Sequence, residues 1–267
     1  MLGVHTNYAS IVAQGAVNKS NNLLTNAMER LSTGLRINSA SDDAAGLQIA
    51  NRMSANVKGM ETASRNISDA TSMLQTADGA LEELTTIANR QKELATQAAN
   101  GVNSADDLTA LNDEFTQLNT EITRILDNTT YAGNNLFTKL EAGVTFQIGA
   151  GTGEKLVVTT TAIDDAALAA GDLTTGANAA IALVDTFIAA VGTERSTLGA
   201  NINRLGHTAA NLASVTENTK AAAGRIMDAD FAVESANMTR NQLLVQAGTT
   251  VLSSANQNTG LVMGLLR

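Results

Sequence analysis

Residues 57–98 read VKGMETASRNISDATSMLQTADGALEELTTIANRQKELATQA, and this stretch decides the fold. Met60, Ile67, Leu74, Leu81, Ala88 and Ala95 recur every seventh residue, with Val57, Ala77, Leu84 and Ala98 in neighbouring positions. A strict seven-residue repeat keeps one helix seam against a partner over many turns. At 1.5 Å per residue, Met60 to Ala98 spans about 57 Å. Asn100, Gly101 and Asn103 then end the pattern, and Ser104 with Asp107 three residues on reads as a capped helix start.

Two further helical patterns follow. Leu108, Leu111, Phe115, Leu118, Ile122 and Ile125 alternate by threes and fours. Val184, Ile188, Val191, Leu198, Ile202, Leu205, Ala209 and Leu212 form the third seam, with Arg195 at one of its positions and Leu205-Gly206-His207 read as a break. Three such seams most simply pack as a bundle of long helices. Between them, residues 129–161 carry repeated glycines around Val144–Ile148 and Lys155–Thr160, whose alternation and β-branched residues predict a hairpin. Residues 162–180 read as a loop with a helical turn.

Both ends of the chain are amphipathic. Leu24, Met28, Leu31 and Leu35 make a stripe near the start. Leu244, Ala247, Val251, Ala255, Asn258, Val262 and Leu265 make one near the finish. Nothing adjacent in sequence covers either face. Closure of the same bundle and burial by other copies of the chain are both open on periodicity alone.

Composition narrows the function. Among 267 residues there is no Pro, Cys or Trp, and aromatics are 3%. Without proline very long helices become possible, and without large rings the core must use small and aliphatic side chains. A net charge of −9 with no basic cluster argues against nucleic acid as a partner. No run of 18 consecutive apolar residues marks a membrane span. Residues 1–20 lack the basic start and apolar stretch of a cleavable signal peptide. The two histidines, His5 and His207, have no metal-ligand partner at helical spacing. Gly149–Lys155 resembles a phosphate loop only until Glu154 interrupts it and Leu156 follows the lysine; a strand turn explains it better. Asp42-Asp43 and Asp164-Asp165 read as helix starts or solvated turns, not catalytic pairs. These residues predict no enzyme, no cofactor and no metal.

The run from Leu31-Ser32-Thr33-Gly34-Leu35-Arg36-Ile37-Asn38-Ser39 to Ala40-Ser41-Asp42-Asp43-Ala44-Ala45-Gly46-Leu47 resembles the N-terminal signature of bacterial flagellins. So do Ile49-Ala50-Asn51-Arg52, Ala63-Ser64-Arg65-Asn66 and Gln75-Thr76-Ala77-Asp78-Gly79-Ala80-Leu81. Near the other end Asp228-Ala229-Asp230-Phe231-Ala232, Ala236-Asn237-Met238-Thr239-Arg240, Gln246-Ala247-Gly248-Thr249 and Leu265-Leu266-Arg267 resemble that family's C-terminal region. The resemblance covers about residues 1–140 and 180–267.

The resemblance implies a mainly α fold: a coiled-coil-like rod built from both chain ends, with a small β-hairpin region. Residues 1–40 with 227–267 would form an inner terminal-helix layer. Residues 41–226 would form the rod, with the hairpin region at about 129–161 and no large central variable domain. A chain this short would be close to a core-only subunit, with a lateral-type filament among the open alternatives. It would be secreted without a cleavable signal peptide and polymerise head-to-tail through Leu24, Met28, Leu31, Leu35, Leu244, Val251, Val262 and Leu265. Its partners would be other copies, an export chaperone, and cap and hook-junction proteins. The resemblance also implies recognition by a Toll-like innate immune receptor through Arg90, Leu94 and Glu114, although Asn89 and Lys92 depart from the commonest residues there. The last helix lacks the proline that such chains often carry near Ala255–Asn258. A hook–filament junction protein, a soluble receptor ligand or adhesin, and an enzyme are the competing classes.

Overall fold

The structure is a computed structural model that describes residues 6–265, with side chains described through residue 257. The main elements are α1 (Tyr8–Thr33), α2 (Ala44–Ala98), α3 (Ala105–Asn128), β1 (Thr130–Tyr131), β2 (Asn134–Asn135), α4 (Leu136–Glu141), β3 (Val144–Gln147), β4 (Lys155–Val158), α5 (Ala166–Ala169), α6 (Leu173–Met227) and α7 (Phe231–Leu265). The fold is mainly α, with two small antiparallel hairpins, β1–β2 and β3–β4. The chain divides into two compact units: residues 1–55 with 218–267, and residues 56–217.

The larger unit holds the hydrophobic core. Met60, Ile67, Leu74, Leu81, Ala88 and Ala95 of α2 are all buried, as are Val57, Ala77, Leu84 and Ala98. A second buried row, Ala63, Ala70, Ala77, Leu84, Gln91 and Ala98, runs beside them at the same seven-residue spacing. On α6 the buried row is Val184, Val191, Leu198, Leu205 and Leu212. Phe115 and Ile122 of α3 are fully buried, while Leu108, Leu111, Leu118 and Ile125 pack against the same core. Alanine at many seam positions lets helix backbones approach closely, so few aromatic rings are needed to fill the space.

The start of α3 follows from its sequence. The Ser104 side chain accepts from Asp107 N while the Asp107 carboxylate accepts from Ser104 N at 3.0 Å, a reciprocal capping box. Asp106 and Asp107 also sit in the first turn, where the helix dipole favours negative charge. At the other helix boundary, α1 stops because Gly34 takes φ 72°, a left-handed conformation that glycine adopts without strain.

Several sequence expectations are corrected. Helix α6 runs through Gly206 without a break, and His207 is an exposed helix residue; His5 lies outside the described residues. Arg195 is not in the seam. It is half-buried beside it, its guanidinium 2.8 Å from Asp78 and 3.5 Å from Glu82. The seam row instead carries Phe187, Glu194 and Asn201. Residues 162–180 contain the expected helical turn, α5, but α6 already starts at Leu173, with non-helical backbone at Gly176. The central region adds β1, β2 and α4 to the predicted hairpin, and α4 buries Leu136, Phe137 and Leu140. The hairpin pairs Val144 with Val158 and Gln147 with Lys155. Its glycine-rich turn is closed by the Gly151 N–H donating to Glu154 at 2.7 Å, which leaves no phosphate loop. Helix α6 also contains an 18-residue window of mean hydropathy 1.4, enough in length and composition for a membrane span. Its buried row in the core accounts for part of that apolarity, and alanine for much of the rest.

Ser104→Ala removes the capping box and should destabilise the larger unit by about 1 kcal/mol, read from urea unfolding. In the α1–α2 turn, the Ser39 and Asn38 backbone N–H groups donate to Asp42 and hold its carboxyl below the ordinary aspartate range. A depressed folded value means stability present above the unfolded pKa of about 4 and lost as pH falls through the folded value. The amides of Asn38 and Ser39 should therefore lose exchange protection in acid, and Asp42→Asn should abolish that pH dependence.

Candidate subunit interface

The smaller unit contains α1, α7 and the chain around them, and α1 and α7 run antiparallel. The pairing is marked along its length. The Asn7 side chain donates to Ala255 O at 2.9 Å, and its carbonyl also caps α1 by accepting from Ser10 N. A Cβ built on Gly248 would sit 2.5 Å from Val17 Cγ2, so a side chain there would press into α1. Arg30 reaches Glu234 at 3.0 Å, and Glu234 is only 8% exposed. Leu35 forms a bridge with Asp228, Ala229 N donates to Gly34 O, and Arg36 donates to Met227 O and Ile226 O.

Both helices present a heptad stripe to this pairing. On α1 the covered positions are Ser10, Ala13, Val17, Ser20, Leu24, Ala27 and Leu31, separated by threes and fours. On α7 they are Glu234, Met238, Asn241, Val245, Gly248, Leu252 and Ala255, with the same alternation. Small or polar residues are interspersed on these stripes with Val17, Leu24, Leu31, Met238, Val245 and Leu252. The polar and small positions interrupt the apolar spacing, most of all on α7.

Other large apolar side chains point elsewhere. Met28 is 47% exposed, Leu244 49% and Val251 58%. Tyr8, Ile11, Val12 and Leu23 of α1 and Phe231, Val233 and Leu243 of α7 are exposed as well. Only Val102, Val157 and Val215 among the exposed large hydrophobics lie in the larger unit. The residues predicted for polymerisation therefore divide. Leu24 and Leu31 belong to the α1–α7 seam. Met28, Leu244 and Val251 lie on uncovered faces. Leu35 stands beyond the end of α1, half-buried, and so is not part of a helical stripe. The side chains of Val262 and Leu265 lie outside the described residues.

In the larger unit, Arg90 is exposed and bonds Glu114 at 2.8 Å and Glu93 at 3.1 Å. Those hydrogen bonds, Glu114 foremost, raise the Arg90 pKa further above its already high value. Leu94 is 1% exposed and faces the core below this surface. Nearby, Lys92 pairs with Asp185. Among the described residues no cluster of three His, Asp or Glu side chains could hold a metal ion.

A helical scaffold without a reactive constellation, carrying uncovered apolar faces on its terminal helices, has the character of a structural, self-associating protein. Comparison with known proteins gives the family. Residues 4–142 match the model described as "Bacterial flagellin N-terminal helical region", and residues 181–266 match "Bacterial flagellin C-terminal helical region". The chain belongs to the bacterial flagellins. Flagellin of Halalkalibacterium halodurans is 46% identical over 247 residues, covering 90% of this chain and 91% of that one. Flagellin FlaB2 of Treponema pallidum is 36% identical, covering 99% of both chains. A crystal structure of Bacillus cereus flagellin is similar with a TM-score of 0.50 and 34% identity, covering 55% of this chain and 88% of that one. The chain is thus a structural subunit of the extracellular flagellar filament, a homopolymer, and not an enzyme.

The close approach at Gly248 supplies a test of the helix pairing. Gly248→Val overpacks the contact with Val17 and should cost about 1–3 kcal/mol. Hydrogen exchange should quicken in Tyr8–Thr33 and Phe231–Leu265 while the larger unit keeps its protection.

Proposed function

We propose that the uncovered faces of α1 and α7 are the polymerisation surface, each covered by other copies of the chain. The observation that carries this reading is the exposure of Met28, Leu244 and Val251 on helices whose covered stripes are already used by their own pairing. A soluble monomer has no use for so many large apolar residues in water. Residues 1–40 with 227–267 then make the inner layer of the filament. Residues 41–226 make the outer part, and the short centre leaves no large variable domain. The longer relatives are consistent with that: the match to Flagellin A of Vibrio anguillarum, 32% identical, runs over 375 positions against 267 residues here.

Contacts of this kind are head-to-tail and propagate into a helical filament. Subunits reach the growing end by export through the flagellar apparatus as unfolded chains. The lack of cysteine favours this, since no disulfide can block threading. An export chaperone that covers the terminal segments, and cap and hook-junction proteins that contact the two ends of the filament, complete the set of partners. Ordering of the terminal faces accompanies docking.

A second reading, as ligand of a Toll-like receptor, is favoured by the exposed Arg90 with Glu114 beside it. Arg90 and Glu114 would make the direct contact. Leu94, buried beneath them, would shape the surface.

Deleting residues 244–267 should abolish growth from sheared filament seeds, seen by negative-stain electron microscopy, while the larger unit stays folded by circular dichroism. Leu244→Asp with Val251→Asp should do the same and shift monomer stability by no more than about 0.5 kcal/mol, as for surface changes. Filaments formed by either variant would sink the proposal. Arg90→Asp should lower receptor signalling in reporter cells; signalling equal to the parent would remove Arg90 from the contact.

A further inference from the structure

Asn100 and Gly101 stand in the turn that joins α2 to α3, and they form the sole Asn-Gly pair in the sequence. Both are exposed. Such a pair is chemically labile when the backbone is free, because the following amide nitrogen can attack the asparagine side-chain carbonyl. Glycine removes the Cβ that would obstruct the attack. At Gly101 nothing lies within 4 Å of where a Cβ would be. Among the described residues no hydrogen bond engages the Gly101 N–H or the Asn100 Nδ2. The Asn100 side chain is held only through Oδ1, by Val102 N at 3.4 Å.

The neighbouring candidates are restrained. Asn103 donates through Nδ2 to Gln97 O at 2.6 Å, and the nitrogen that would attack it, Ser104 N, donates to Asp107. Asn38 donates to Leu35 O, and Ser39 N donates to Asp42 at 2.9 Å. In both cases the nucleophile and the leaving amide already serve as hydrogen-bond donors. Asp78-Gly79 lies inside α2, with Asp78 bonded to Arg195.

We propose that Asn100 is a site of spontaneous modification, converted to aspartate and isoaspartate in the assembled, extracellular subunit. Gly101 N loses its proton to base and bonds Asn100 Cγ. The Cγ–Nδ2 bond breaks and ammonia leaves, giving a cyclic imide. Water then opens the ring at either carbonyl, so one ammonia is lost and one water gained. Opening at the backbone carbonyl leaves an extra methylene in the main chain of the turn. Either product places a new negative charge just beyond the C-terminal end of α2, where the helix dipole disfavours it. Since the filament lies outside the cell, beyond cytoplasmic repair, the mark accumulates with subunit age.

The test is peptide mapping by tandem mass spectrometry of purified monomer and of filaments, incubated for increasing times at neutral and alkaline pH. Fragments of the Glu93–Arg124 tryptic peptide separate position 100 from 103. Modification should appear first at Asn100, rise with pH, and yield two chromatographically distinct products. Gly101→Ala should slow it to the rate of the remaining asparagines without loss of helix content. Equal rates at Asn100 and Asn103, or an unchanged rate in Gly101→Ala, would overturn the proposal. Modification in monomer but not in filaments would overturn the age mark in the assembled state.

Discussion

The larger unit depends on the seven-residue seam. A helix as long as α2 can be buried on one side only if its apolar row stays in line with its partners over its whole length. The row Met60–Ala95 does so, and the row Val184–Leu212 on α6 keeps the same spacing. A uniform apolar seam has a weakness, because it packs nearly as well after a slip of seven residues. Polar residues at single levels break that degeneracy. Gln91 is fully buried and donates to Phe115 O and to Asn119 Oδ1, which ties α2 to α3 at one level. Glu194, also buried, accepts from Thr161 N at 3.1 Å and so joins the end of the β3–β4 hairpin to α6. Its second oxygen has no protein partner. That oxygen makes Glu194 a poor choice for stability alone, and its place in the seam is better accounted for by register.

The smaller unit obeys the same geometry with a different outcome. An antiparallel pair of helices can cover one stripe on each, and the stripes chosen by α1 and α7 are rich in Ser, Ala, Gly and Asn. Small residues bring the backbones together, as Val17 and Gly248 show. They contribute little apolar area at the contact, however, and while Val17, Leu24, Leu31, Val245 and Leu252 are covered, Leu23, Leu243, Leu244 and Val251 face out. The larger unit has a third helix and hairpins to close its core; the pair does not. The contrast in where large apolar residues are exposed follows from the number of elements available to cover them.

Much of this was legible in the sequence. Every α2 seam residue read from the heptad is buried, the α3 cap forms as Ser104 and Asp107 announce, and the hairpin falls within its glycine-bounded segment. What was missed has separate physical causes. On α7 the covered stripe mixes Glu234, Asn241 and Gly248 with Met238, Val245 and Leu252, so apolar spacing alone picks out Leu244 and Val251 on an uncovered face. Arg195 stands one residue past the buried position that Glu194 fills, and it reaches Asp78 from the flank. Elements β1, β2 and α4 were too short for any period to register.

The α1–α7 pair also joins residues that are very far apart in sequence: Asn7 and Ala255 are separated by 248 positions. Closing so long a loop between flexible segments is entropically costly, although the cost grows only slowly with length. It falls when the intervening chain is already folded, because the effective loop is then the few residues left free. The core of residues 56–217 carries the buried apolar rows and needs neither terminus to complete them. The terminal pair, with few large buried side chains, gains less from forming. Local stability should therefore rank the core above the pair. A subunit organised in this way can present its terminal helices late, when other copies are present to cover the faces that the pair leaves in water.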